Sequence, residues 1–493
     1  MKLHPTGVLL RPDNKRVVVR PFISIHPTRV ENIIARALAL SEQETEKQLS
    51  LVRADFSERH IDLDKSWLRH FEKVRGHIRD SETISEPRRL FIGALFSGEY
   101  ALESAALFNP SIVPHPDQTG LGQGDLRFIL SLRSTGEGHI SSIQFRTGVI
   151  HRDHSIEIEK TTPFVILPEP NPNPTYHKRS FLDKLSEMGL ENDWAASVMG
   201  RLGKTFLLDE LDKSIQQAAL DEASAHTRDV PRTLECMHWL AESNYQIHFA
   251  RSSEMSERII FPVSPNESNG IEDARFVRFV EDDGSVIYYA TYTAYNGRVI
   301  LPQLIETEDF LNFRILTLNG QAVQNKGMAL FPRRIDGRYV MLTRQDDENL
   351  YLTFSDNPHF WSDPLLLQEP RQPWEFVKLG NCGSPIETEA GWLVLTHGVG
   401  PMRKYCIGAT LLDLHDPARI IGQLEEPLLR PEGNEREGYV PNVVYSCGSL
   451  VHNGQLILPY GLSDTASSIV RIELSELLTA LTLRYRLADA AVC

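Results

Sequence analysis

The sequence predicts a mainly β protein, a five-bladed β-propeller with helical N-terminal and inserted segments. Three observations predict it. First, four segments share one shape, a strand, a tight turn ending in glycine and a second apolar strand: FVRFVEDDGSVIYYATYTAY, LFPRRIDGRYVMLTRQ, PIETEAGWLVLTHGV and SLVHNGQLILPYG. Second, their turn glycines, Gly284, Gly337, Gly391 and Gly454, are spaced 53, 54 and 63 residues apart, and Gly124 in QGDLRFILSLRS supplies a fifth hairpin. Third, DG and NG turns need positive φ, which glycine takes without strain, and a period of about 50 residues with several short strands is what propeller blades leave in a sequence.

The elements follow in order. Residues 1–90 form an N-terminal extension, extended at first, with a short strand at Val17–Val19, then mostly helical. Ile33, Ile34, Ala37, Leu38 and Leu40 fall near helical spacing in a Pro-free stretch, and two or three helices fit before residue 90. Residues 91–177 read as the first part of the propeller, with strand-like RFILSLRS and ISSIQFRTGVI, and end at the Pro/Asn-rich break PEPNPNPTY. Residues 178–243 return to helix, including GKTFLLDELDKSIQQAALDEASAHT. Residues 244–475 hold the remaining blades, and 476–493 form a C-terminal helix or tail.

Composition excludes several function classes. Hydrophobic residues make up 41% of the chain, enough for a packed core. The net charge of -15 argues against a uniformly basic nucleic-acid binder. Five cysteines, at 236, 382, 406, 447 and 493, match neither a zinc motif nor a disulfide framework, and no His/Asp/Glu cluster has ligand spacing, so no metal is expected. No apolar run is long enough for a membrane span, and the start lacks a secretory h-region; a cytoplasmic protein is expected.

The strand after each turn glycine ends on a chemically useful residue: Tyr292, Arg344, His397 and Tyr460. Recurrence at one register would bring them to one central pocket. Lys326, Arg344, Lys378 and His397 lie in consecutive blade segments, and four cation-capable groups in a pocket of an acidic protein call for an anion such as phosphate. Taken alone, they also fit unrelated surface cations. A carboxylate pair, Glu272 and Asp273, sits in GIEDARF just before a strand. Glycoside chemistry needs an acid beside the scissile oxygen, but a local charge-paired turn has the same residues. His139 and Ser141 in GEGHISSIQFR reach the same region of the first blade or form an ordinary turn.

In these motifs the chain resembles the mannoside phosphorylases of glycoside hydrolase family 130. GIEDARF is similar to their G-x-E-D-P-R motif, and NKGMALFPRRIDGRYVMLTR, SDNPHFWSDP, KLGNCGSPIETEAGWLVLTHGVG, EREGYVPNVVYSCG and LPYGLSDTASSIVRIEL follow in the family's order. The resemblance implies a five-bladed propeller and an inverting, reversible phosphorolysis of β-mannosides to α-mannose 1-phosphate plus a shortened sugar. It implies that Asp273 is the general acid, protonated and acting through the mannosyl 3-hydroxyl. It puts Arg344, Lys378 and His397 at the phosphate, with Lys326 and Tyr405 beside them, and Glu437 and Asp464 at the mannosyl residue. The implied partners are a mannose-containing oligosaccharide and inorganic phosphate as co-substrate, with no cofactor, nucleic acid or membrane. A β-mannoside hydrolase and a non-catalytic carbohydrate-binding propeller are the alternatives. Ala274 stands where the family motif has proline. The helical segments offer a lid, a wall to the acceptor subsites or a homo-oligomer contact.

Overall fold

A computed structural model of the 493-residue chain describes residues 1–79, 83–221 and 230–490. The fold is mainly β, and most of its strands fall into five antiparallel four-stranded units. The first comprises Ala106–Pro114, Leu126–Thr135, Ser141–Ile150 and Ile156–Ile158. Gly270–Val280, Val286–Tyr295, Ile300–Thr307 and Asn312–Thr317 make the second. The third runs through Ala329–Leu330, Tyr339–Thr343, Leu350–Ser355 and Leu365–Gln368. The fourth is Lys378–Asn381, Gly391–Val399, Tyr405–Leu412 and Ile420–Gln423. The fifth combines Val444–Tyr445, Gln455–Leu462 and Ala466–Glu473 with Leu3–Leu10 from the other end of the chain. Each unit packs on the next, and the fifth packs back on the first.

Turn chemistry sets these hairpins. Asp336–Gly337 and Asn453–Gly454 both carry positive φ at two successive residues, the backbone that matches strand twist in a two-residue loop. Apolar side chains between units are fully buried, as with Leu342, Leu379, Trp392 and Val394 between the third and fourth. Burial of each such side chain stabilises the fold by about 1.5–3 kcal/mol.

The N-terminal extension departs from the sequence reading in two ways. Leu3–Leu10 is the outer strand of the fifth unit, a pairing 460 residues distant that no local pattern can reveal. The extension holds four helices, Pro27–Leu38, Glu42–Phe56, Leu63–Val74 and Glu86–Leu95, and the last crosses the boundary drawn at residue 90. A short apolar run such as LFIGALF does not distinguish strand from helix by periodicity. Val30, Ile34 and Ala37 bury one face against Phe71, Val74 and Ile92. Ser41 and Glu44 cap the second helix reciprocally. Buried Arg16 ties the extension to the β body through Glu103, which also takes Arg146.

The inserted helices are Lys178–Glu187, Asp193–Gly200, Leu208–Asp221 and Val230–Ser243, packed around Phe181, Trp194, Met237 and Leu240. The part of the helical reading over 222–229 lies outside the described residues, as does Cys493. Leu474–Ala490 is helical. Among the described residues, no helix is long and apolar enough to cross a membrane.

Candidate active site

A cavity of about 330 Å³ opens among the five units and takes lining residues from all of them. One wall is acidic. Strand Gly270–Val280 carries a bulge between Glu272 and Arg275, an extra residue against its partner strand. Asp273 sits in it at φ 55, a left-handed backbone rare for a non-glycine residue. A second bulge, between Phe108 and Ser111, holds Asn109 at φ 48. The bulges face each other: Asn109 Nδ2 donates to Asp273 Oδ1 over 2.7 Å. Arg133 donates from NH1 to Asp273 (3.2 Å), from NH2 to Glu272 (2.7 Å) and from Nε to Ser141 Oγ (2.9 Å). Lys326 Nζ takes the other oxygen of Glu272. Arg275 donates to the Asp273 carbonyl and to the Tyr445 hydroxyl. The Asp273 side chain is 15% exposed, so it faces the cavity and not bulk solvent.

Burial pushes the Asp273 carboxyl up, but Arg133, Arg275, the Asn109 hydrogen bond and Lys326 outweigh it and hold the group below the usual range. These partners favour the ionised form of Asp273, whereas the sequence reading gives it the proton of a general acid. Of the four partners only Arg275 belongs to GIEDARF; Arg133, Asn109 and Lys326 come from elsewhere in the chain. Asp464, also in a left-handed turn, goes the other way: burial and then the charge of Asp273 push it up to about 6.

The opposite wall is cationic. Arg344 follows strand Tyr339–Thr343 directly, and its NH1 donates to His397 Nε2 over 3.1 Å. His397 Nδ1 donates to the Asn381 carbonyl (3.0 Å), so the ring is the neutral tautomer with Nε2 as acceptor. Burial and the Arg344 charge hold its pKa well below the ordinary value. A β-carbon at Gly380, the strand partner of His397, would collide with this ring, so the bare backbone there makes room for it. Tyr405 stacks on His397 with centroids 6.1 Å apart, and Tyr445 meets it edge-on at 4.9 Å. Arg344 NH2 and Lys378 Nζ both reach Asp347, at 3.0 and 2.7 Å.

Of the residues singled out in the sequence, the cavity gathers Asp273, Lys326, Arg344, Lys378, His397, Tyr405 and Asp464. It does not gather Glu272, which lies behind Arg133 and Lys326, nor five others. Tyr292 is buried with its hydroxyl on Glu267 and Gln303. Tyr460 donates to Glu435. An offset counted from a turn glycine does not fix the pleat, because Gly391 opens its strand while Gly284 and Gly454 precede theirs. Ser141 is buried behind Arg133, and His139 is exposed and stacked on Tyr439. Glu437 lies on an exposed turn outside the lining. Sequence reasoning missed Asn109, Arg133, Asp347, Arg403 and Tyr445. Arg133 had a signal, since it is a cation set directly after the apolar run FILSL within its strand. Asn109 had a weaker one in its Asn-Pro dipeptide.

A larger groove of about 530 Å³ lies against His248 and Asn312–Arg314; of its carboxylates, Glu306 is tied to Arg314 and His359 and Asp309 accepts from the Leu311 and Asn312 amides.

A family model described as β-1,4-mannooligosaccharide phosphorylase, that of glycoside hydrolase family 130, matches residues 234–483. A 1,2-β-oligomannan phosphorylase of Thermoanaerobacter sp. (strain X514) is 37% identical over 229 residues, covering 45% of this chain and 75% of that protein. A β-1,2-mannobiose phosphorylase of Listeria innocua is 30% identical over 258 residues, covering 50% of this chain and 71% of its own. The solved structure of Listeria innocua β-1,2-mannobiose phosphorylase with β-1,2-mannobiose aligns with a TM-score of 0.45 at 20% identity, over 77% of this chain and 92% of that one. The family match spans half of this chain and the alignment to the oligomannan phosphorylase three quarters of that relative, and on that ground the chain belongs to glycoside hydrolase family 130 and is an enzyme.

Proposed function

We propose that this enzyme cleaves β-mannosides with inorganic phosphate, giving α-mannose 1-phosphate and a shortened sugar, with inversion and reversibly. One observation carries the reading: Arg344, Lys378 and neutral His397 meet across one cavity from the Asp273 carboxyl. Phosphate is already an anionic nucleophile and needs no protein base, so one carboxyl group and a cationic cradle replace the two carboxylates of a hydrolase. A phosphate oxygen bonds to C1, the glycosidic C–O bond breaks on the opposite face, and the departing oxygen takes a proton through Asp273 and the mannosyl 3-hydroxyl. Asp273 takes up that proton from solvent as the mannoside binds, and hydrogen phosphate dianion releases its own proton to solvent on forming the ester, so the protons balance. Asp464 holds the mannosyl residue, and Lys326 and Tyr405 complete the phosphate side.

In this reading the ring of five units is a five-bladed propeller, the cavity lies on its axis, and strand Leu3–Leu10 closes it. The reaction needs phosphate and no metal or organic cofactor. The test is incubation with β-1,2- and β-1,4-mannobiose with and without phosphate. The expected outcome is phosphate-dependent α-mannose 1-phosphate, and its synthesis run backward from that ester and an acceptor sugar. Free mannose released at the same rate without phosphate would overturn the reading in favour of hydrolysis.

A further inference from the structure

The two cations assigned to phosphate are not waiting with empty hands. The hairpin joining Tyr339–Thr343 to Leu350–Ser355 carries two adjacent aspartates with different surroundings. Asp346 is fastened: Oδ1 accepts from the Glu348 and Asn349 amides, and Oδ2 accepts from Asn349 Nδ2 and the Tyr351 hydroxyl. The Glu348 carbonyl is also held, by the Leu379 amide. These bonds anchor the turn independently of the Asp347 side chain. Asp347 stands in the left-handed region at φ 62, and the contacts of its carboxylate are with Arg344 NH2 and Lys378 Nζ. Its side chain is 46% exposed, against 9% for Arg344, so it has solvent to move into.

We propose that Asp347 is a built-in anion that occupies the phosphate cradle in the empty enzyme and must yield when phosphate binds, setting phosphate affinity. The proposal rests on the phosphorolysis reading. The charge balance supports it. His397 is neutral, Lys326 borders the phosphate side already paired with Glu272, and the Arg403 charge acts on Asp464, so Arg344 and Lys378 are the pair that Asp347 and phosphate contest. A dianionic phosphate beside an undisplaced Asp347 would leave three negative charges on two positive ones. Pivoting of one half-exposed side chain on a fixed turn relieves this, and the cations never stand unpaired in the cavity between turnovers.

The test is calorimetric titration of the full chain with inorganic phosphate, in the wild type and in Asp347→Asn and Asp347→Ala. With one competing charge removed, the phosphate dissociation constant falls roughly tenfold, corresponding to about 1.4 kcal/mol. In phosphorolysis assays the KM for phosphate falls with it, and the KM for the mannoside does not follow. A purely structural Asp347 predicts the opposite sign, weaker phosphate binding in both variants; that result, or no change in either, overturns the proposal. If the wild type and both variants bind mannoside but no phosphate, the phosphorolysis reading falls and the proposal with it.

Discussion

Arg344 donates to His397 across the boundary between the third and fourth units, and the imidazole can accept because its other nitrogen donates to the Asn381 carbonyl. A guanidinium and a neutral ring thereby form one rigid surface, with the positive charge kept on the arginine. The cradle wall keeps its charge through the pH range in which free histidine titrates.

Arg344→Ala removes the charge and the bidentate geometry together. The KM for phosphate should rise roughly 10- to 100-fold, the range for a lost hydrogen bond to a charged group. Initial rates against phosphate concentration check this; an unchanged dependence contradicts the role.

Asp273→Asn keeps the shape of the side chain and removes its proton transfer. Turnover should fall by roughly 10²- to 10⁴-fold while mannoside binding persists. Single-turnover rates, with mannoside affinity measured separately, distinguish a lost acid from a collapsed site.

Asp464→Asn should stabilise the empty enzyme. Asp464 is pushed up to about 6, against 3.8 for the free group, so the folded chain holds this proton more tightly than the unfolded chain. Ionising it at neutral pH is unfavourable, and asparagine removes that term. Tm at neutral pH should rise by roughly 2 °C or more, and the gain should vanish once the pH falls below the unfolded value. Equal Tm values at neutral pH would count against the carboxylate crowding around Asp273.

His70 makes the extension acid-sensitive. Burial, then Lys73 and Arg69, lower it from 6.5 to about 4, and its Nδ1 shares a hydrogen with Ser97 Oγ at 2.6 Å. Between those two values the unfolded chain binds the extra proton, so stability falls as pH falls, by about 2 kcal/mol around pH 5. His70→Gln should flatten denaturant midpoints over that window; an identical pH slope in the variant would refute the assignment.

The chain itself determined much of this. DG and NG turns and alternating strands fix the hairpins through local φ preferences, and the order of motifs from GIEDARF to LPYGLSDT carries the family. Arg344, Lys378 and His397 could be singled out because each borders or interrupts an apolar strand run, where a polar group has no local reason to be. The tertiary structure decided what depends on charges brought together from distant parts of the chain. It lowered the Asp273 pKa by surrounding it with Arg133, Asn109 and Lys326, set Asp347 between two cations from different units, and recruited Leu3–Leu10 into the fifth unit. It also turned Tyr292 and Tyr460 into packing residues. Local sequence encodes backbone geometry and burial pattern, but a carboxyl's charge and a strand's partner are set by groups hundreds of residues away.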